Sequence, residues 1–247
     1  MKKITLTIVV ALIAIFASAA SKNYVVTSPD GTLVASVSAG GKLSWSLTKD
    51  GKTVLEPSLI SMTLADGSVY GAPQKVKKVV RSSVDQMLPN PLYKKSQVRE
   101  NYNEMTLNFN DFALVVRVFD EGAAYRFVSK SKKDFTVVSE QAEFTFPEDA
   151  KVTVPYVSQH TETLESQLFN SFESYYDQCL ISELREDRIA FAPVNVRLKD
   201  FSVNITESDL KNYPGMFLYK GVATGDGSMP VGPATVPNSL KGVWAPL

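Results

Sequence analysis

The chain has 247 residues, 26 Lys and Arg against 26 Asp and Glu, one histidine and one cysteine. A balanced charge without a basic stripe excludes nucleic acid as a partner, because phosphates need clustered cations to neutralise them. With only His160 and Cys179 available, a His/Cys zinc site, an intramolecular disulfide and most metallohydrolase and cysteine-hydrolase chemistries are excluded too.

The chain opens with Met1-Lys2-Lys3, runs apolar or small from Ile4 to Ala17, and reaches Ser18-Ala19-Ala20 before the polar Ser21-Lys22-Asn23. A basic start, a short apolar core and a small-residue site are the three parts of a secretory signal peptide. Cleavage is expected near Ala19 or Ala20, giving a signal segment 1–20 and a domain 21–247. The apolar run falls short of the length a spanning helix needs, about 20 residues. No cysteine follows it directly, so neither a lipid anchor nor a membrane span is expected after cleavage.

From Tyr24 onward short β-branched and aromatic runs alternate with turn signals. Tyr24-Val25-Val26-Thr27 stops at Ser28-Pro29-Asp30-Gly31. Thr32 to Val37 and Lys42 to Leu47 alternate apolar and polar residues, and Asp50-Gly51 signals a hairpin into Thr53-Val54-Leu55. Three half-buried antiparallel strands are therefore predicted at the start of the domain. Asn103–Phe109 alternates again and turns at Asn110-Asp111. The apolar run Leu114 to Phe119 then predicts a strand covered on both faces, at the centre of the fold. Asp120-Glu121-Gly122 turns into a strand through Tyr125, Arg126 and Phe127.

Thr161 to Arg188 breaks this pattern; Ser182 to Asp187 fits either a short helix or an exposed loop. Strands resume at Ile189 to Val194, Val196 to Leu198 and Phe201 to Thr206. Many evenly spaced strands, with no fixed-period repeat and no linker, predict a single all-β domain, a large antiparallel sandwich.

Glycosidase chemistry needs two carboxylates across a sugar ring. Most acids here fall in turns, such as Asp120-Glu121 and Glu148-Asp149, where a solvated role is the simpler reading. Glu207 differs, since it follows the apolar strand Val203-Asn204-Ile205 and precedes a Tyr213-Pro214-Gly215 turn. At a sandwich rim it would suit a hard cation or a sugar; the alternative is an acid in a short helical turn capped by Thr206. Arg99 and Arg126 lie among aromatic or polar residues and fit either a sugar or, more simply, a buried acid inside the sandwich. Trp45 reads as core, while Trp244 is a candidate for substrate contact through its indole. Cys179 reads as a small buried residue.

Five segments occur together and in order: Thr27 to Gly31, Gly51 to Ser58, Arg99 to Glu104, Asp120 to Phe127, and Thr206 to Leu210 with Tyr213-Pro214-Gly215-Met216. In this the chain resembles the N-terminal domain of glycoside hydrolase family 97, bacterial α-glucosidases and α-galactosidases, over essentially the whole of residues 21–247. The resemblance implies a β-super-sandwich of the galactose-mutarotase-like kind, followed in the family by a catalytic barrel and a small β domain. It implies that the catalytic residues lie on that barrel, so none is expected in this chain. It also implies that Glu207 is a calcium ligand lent by this domain to an active site whose other carboxylates come from the barrel.

The expected function is thus the front part of an exported, periplasmic α-glycosidase acting on α-linked oligosaccharides, with the barrel domain as partner and calcium as shared cofactor. The alternative is a stand-alone carbohydrate-binding or scaffold domain without catalysis. A mutarotase would want histidines beside a glutamate, which one histidine does not supply.

Overall fold

The computed structural model describes residues 21–92, 94–157, 164–169, 173–211, 213–220 and 238–244. The signal-like segment 1–20 and His160 lie outside the described residues.

Strands β1 (Lys22–Thr27), β2 (Leu33–Ala39), β3 (Ser44–Lys49) and β4 (Lys52–Leu64) form an antiparallel meander. Their register follows the predicted alternation: Leu33, Ala35, Val37 and Ala39 are all buried on one face of β2. The β3–β4 turn has Asp50 and Gly51 at φ 51° and 74°, the two left-handed positions a two-residue hairpin requires. β4 is far longer than Thr53-Val54-Leu55 suggested. It absorbs Pro57 at a place where the register shifts toward both neighbours, between Trp45 and Leu47 on β3 and between Ala142 and Thr145 on β10. A residue without an N–H is tolerated in a sheet interior at such irregularities.

A short β5 (Val69–Tyr70) pairs with β4. β6 (Lys78–Pro89), β7 (Gln97–Asn108), β8 (Phe112–Phe119) and β9 (Gly122–Ser129) make a separate four-stranded sheet in sequence order. β8 lies inside that sheet. Leu114, Val116 and Val118 are fully buried. Val115, Arg117 and Phe119, on the other face, are only half-buried. The expectation of a strand covered on both faces is therefore corrected. The outer face holds a polar arrangement, in which Arg117 bonds Glu104 at 2.7 Å and lies 4.4 Å from the Tyr102 ring.

β10 (Val137–Thr145) returns to β4 and extends the first sheet, which ends with β13 (Ala190–Phe191) after passing through β17 (Ser239–Trp244) and β16 (Met216–Tyr219). The third sheet has the order β12 (Asp177–Leu180), β11 (Lys151–Val154), β14 (Val194–Arg197), β15 (Ser202–Ile205). In the irregular stretch a helix α1 (Leu164–Leu168) and a 3-10 turn at Ile181–Glu183 appear, the latter leading into a loop. The run Ile189 to Val194 is not one strand: it divides into β13 and β14, which belong to different sheets.

Side chains from all three sheets meet in one continuous core, from Val37 and Trp45 through Met105, Val116 and Ile60 to Val152, Val196, Leu218 and Leu240. The predicted all-β sandwich is the observed architecture. Because β10, β16 and β17 are interior or near-interior strands of the largest sheet, whatever projects from their ends is held by a rigid base.

Candidate functional site

Glu207 lies in the connection between β15 and β16 and is half-buried. No helix forms there. Asp209 adopts a left-handed φ of 61°, and the Thr206 hydroxyl reaches only the Glu207 carbonyl oxygen at 3.4 Å. The capped helical turn is thus absent, and the Glu207 side chain is free to do something else.

It closes the end of a β ladder. Met216 and Trp244 are direct partners in the β16–β17 pairing. The Met216 amide donates to Glu207 Oε2, and the Trp244 indole Nε1–H donates to Oε1 at 3.1 Å. Among the described residues each carboxylate oxygen takes one donor, which leaves it a lone pair. The two residues singled out from sequence, 37 positions apart, are therefore in direct contact.

Glycine at 242 makes this contact possible. A Cβ there would lie 2.8 Å from Trp244 Cη2 and 3.0 Å from Met216 Sδ. The indole occupies the space above the strand that any side chain at 242 would claim.

A second acid belongs to the same neighbourhood. Tyr213 Oη donates to Glu140 on β10, a half-buried carboxyl. Burial pushes the Glu140 carboxyl above its ordinary range; the Tyr213 hydrogen bond opposes this, and the charge of Glu207 adds to it. Burial and the Glu140 carboxylate also raise the Tyr213 phenol, which keeps it a donor. Further out, Asp209 meets Arg126 of β9 at 3.7 Å and Lys211 at 3.1 Å, so the β15–β16 connection reaches across to the second sheet.

Among the described residues no group of three or more His, Cys, Asp or Glu side chains converges on a metal-sized site. Calcium takes six to eight oxygens. The donor set here fits one share of such a shell: a single carboxylate, aimed by two N–H donors, with lone pairs left over. Calcium held by Glu207 would need most of its ligands from elsewhere.

The other candidates separate. Arg99 pairs with Asp85 through two bonds of 2.7 and 2.8 Å, and Arg126 with Asp209. Each does meet an acid, but all four side chains are more than half exposed, so neither pair is inside the sandwich. Trp45 is core, 5% exposed and edge-on to Tyr125 at 5.0 Å. Cys179 is half-buried rather than buried, and burial pushes its thiol up, away from nucleophilic use. The turn acids tie loops together: Asp120 accepts the Asp30 amide at 3.0 Å, Glu148 the Lys199 amide at 2.7 Å, and Asp149 the Ser182 amide and hydroxyl. A groove of about 290 Å³ lies elsewhere, lined by Lys151, Thr153, Gln178, Glu183 and Arg197 among others. It contains none of the residues of the Glu207 cluster.

Sequence reasoning did not find Glu140 or the role of Gly242. Glu140 lies 73 positions from Tyr213, and nothing in its own strand distinguishes it.

A family model described as "Glycosyl-hydrolase 97 N-terminal" matches residues 26–240. The chain is 41% identical over 221 residues to a "Retaining alpha-galactosidase" of Bacteroides thetaiotaomicron, covering 88% of this chain and 33% of that protein. The structure is similar to "A Glycoside Hydrolase Family 97 enzyme in complex with Acarbose" from Pseudoalteromonas sp. strain K8, with a TM-score of 0.70 at 18% identity over 90% of this chain and 32% of that one. It is similar also to a "beta-arabinopyranosidase", with a TM-score of 0.73 at 22% identity over 91% of this chain and 35% of that one. The two structural likenesses speak for the fold alone. The chain spans about a third of the length of the curated relative it matches.

Proposed function

The chain belongs to the glycosyl-hydrolase 97 family through that family's N-terminal domain, and from this premise we propose that it is the non-catalytic front domain of an α-glycosidase acting on α-linked oligosaccharides. In this reading it packs on a catalytic barrel and lends Glu207 to a calcium ion shared with it. The observation that carries the reading is the carboxylate of Glu207, oriented by the Met216 amide and the Trp244 indole, with a lone pair on each oxygen unused among the described residues.

When bound, the calcium would act as a Lewis acid on the glycosidic oxygen. The chain's own part is positional. The β16–β17 ladder sets the height of the carboxylate, and the two N–H donors hold it aimed. The half-buried Trp244 ring also offers a surface to a sugar. The signal-like segment 1–20 supports export, and an oligosaccharide substrate supports a periplasmic destination.

The test is a chimera in which residues 21–244 replace the matching segment of the Bacteroides thetaiotaomicron enzyme. Calcium-dependent hydrolysis by the chimera, with calcium affinity lowered by Glu207→Gln, is the expected result. An unchanged affinity in that variant overturns the role of Glu207. Residues 21–247 alone are expected to leave aryl α-glucosides and α-galactosides intact and to bind calcium weakly by calorimetry. Robust hydrolysis by them would overturn the domain assignment, and tight binding of an oligosaccharide without calcium would favour a stand-alone carbohydrate-binding role.

A further inference from the structure

Resting on the reading of Glu207 given above, we propose that Trp244, seated by Gly242, is a positioning residue that fixes the rotamer of the metal-binding carboxylate. A glutamate side chain has much freedom to lose. Its three side-chain torsions leave many rotamers open, and a loop position such as 207 supplies no neighbouring strand to restrict them. Ordering the carboxylate must then be done by hydrogen bonds.

The backbone amide of Met216 supplies one, at Oε2. A single bond leaves the carboxylate plane free to rotate about it. The second, from Trp244 Nε1 to Oε1 at 3.1 Å, fixes that plane. Because Met216 and Trp244 are paired partners on adjacent strands, the two donors sit on one rigid element, and the carboxylate is held as by a two-point clamp.

Tryptophan suits this task for a chemical reason. Its N–H donates and cannot accept, so it pairs with a carboxylate oxygen and carries no charge to repel a cation. Its ring plane is set by packing. The indole lies against Gly242, where a Cβ would come within 2.8 Å of it, and this fixes the direction of the N–H. An outer group that orients a ligand is worth about 10- to 100-fold in metal affinity at other protein sites.

Three variants of the chimera described above test this: Glu207→Gln, Trp244→Phe, and both together. Calcium affinity is read by calorimetry and the calcium-free melting temperature by calorimetric scanning. Phenylalanine keeps an aromatic ring in this position and removes the N–H donor. Trp244→Phe is expected to weaken calcium about 10-fold with little change in calcium-free melting, and to add nothing in the Glu207→Gln background. Wild-type affinity in Trp244→Phe, while Glu207→Gln is impaired, overturns the positioning role and leaves the ligand role standing. Equal losses in both backgrounds also overturn it, because the effect would not pass through Glu207. If Glu207→Gln itself binds calcium normally, the ligand reading fails first. A readout free of metal uses residues 21–247 as they are: Glu207→Gln is expected to shift the Trp244 indole N–H resonance upfield, and an unmoved resonance excludes the hydrogen bond.

Discussion

Glu143 and Lys241 are partners across β10 and β17, with an ion pair of 3.6 Å between side chains only 6% and 13% exposed. The Glu143 carboxylate also accepts the Leu59 amide at 3.2 Å and the Gln141 side-chain amide at 2.9 Å, so its charge is well satisfied. Lys241 precedes Gly242 on the strand that ends in Trp244. Removing the cation alone would leave a charge out of water, which costs about 3–5 kcal/mol when no relaxation relieves it. Lys241→Met is accordingly expected to destabilise the domain by several kcal/mol in chemical denaturation. The paired change Glu143→Gln with Lys241→Met should recover most of the loss.

Gln167 is a second buried polar tie. Its side chain is fully buried, donating to the Asp187 carbonyl at 2.9 Å and accepting the Ile189 amide at 3.0 Å. It thereby holds α1 to the chain entering β13. Gln167→Leu would take the donor from the Asp187 carbonyl and the acceptor from the Ile189 amide. A loss of about 2–3 kcal/mol is expected, with hydrogen exchange at the Ile189 amide accelerating more than the global loss accounts for.

Gly242 offers a test by addition. Alanine there places its Cβ inside contact distance of both the indole and the Met216 sulfur. Overpacking of this kind costs about 1–3 kcal/mol. The ring can relieve the clash by swinging away from Glu207. Gly242→Ala is therefore expected to red-shift Trp244 fluorescence, read in a Trp45→Phe background, along with a lowered melting temperature. An unshifted spectrum would mean that the strand, not the ring, gives way.

Much of the fold was legible because period-two alternation and a hairpin signal are local. The pattern Leu33, Ala35, Val37 and the pair Asp50-Gly51 specify face and turn without reference to the rest of the chain. β6 was not singled out, since nearly all of it is exposed and no apolar face marks it. Glu207 and Trp244 could be named as residue types in suggestive places. Their contact could not, because it depends on the β16–β17 register and on open space above Gly242, neither of which a linear pattern encodes. Glu140 illustrates the same limit, as its partner Tyr213 arrives from the connection that leads from the third sheet back to the first.

The Tyr213 bond to Glu140 makes a prediction about pH, in which the bond and the burial of the acid have opposite signs. Glu140 has its folded pKa raised, mainly by burial. Such a group contributes stability that is fully present below its unfolded pKa and is lost as pH rises through the folded value. Tyr213 limits that loss by donating to the ionised form. Tyr213→Phe removes the donor, so the folded pKa rises further and the ionised carboxylate becomes costlier. The variant should be less stable than the parent by about 1–2 kcal/mol at neutral pH. The difference should shrink toward zero as pH falls below the ordinary carboxylate range, where Glu140 is protonated in both proteins. Glu140→Gln in the same background should abolish the pH dependence of the difference, as read from melting temperatures across the acid range. A Tyr213→Phe deficit that persists unchanged into acid would assign the tyrosine to packing and remove the hydrogen bond as its cause.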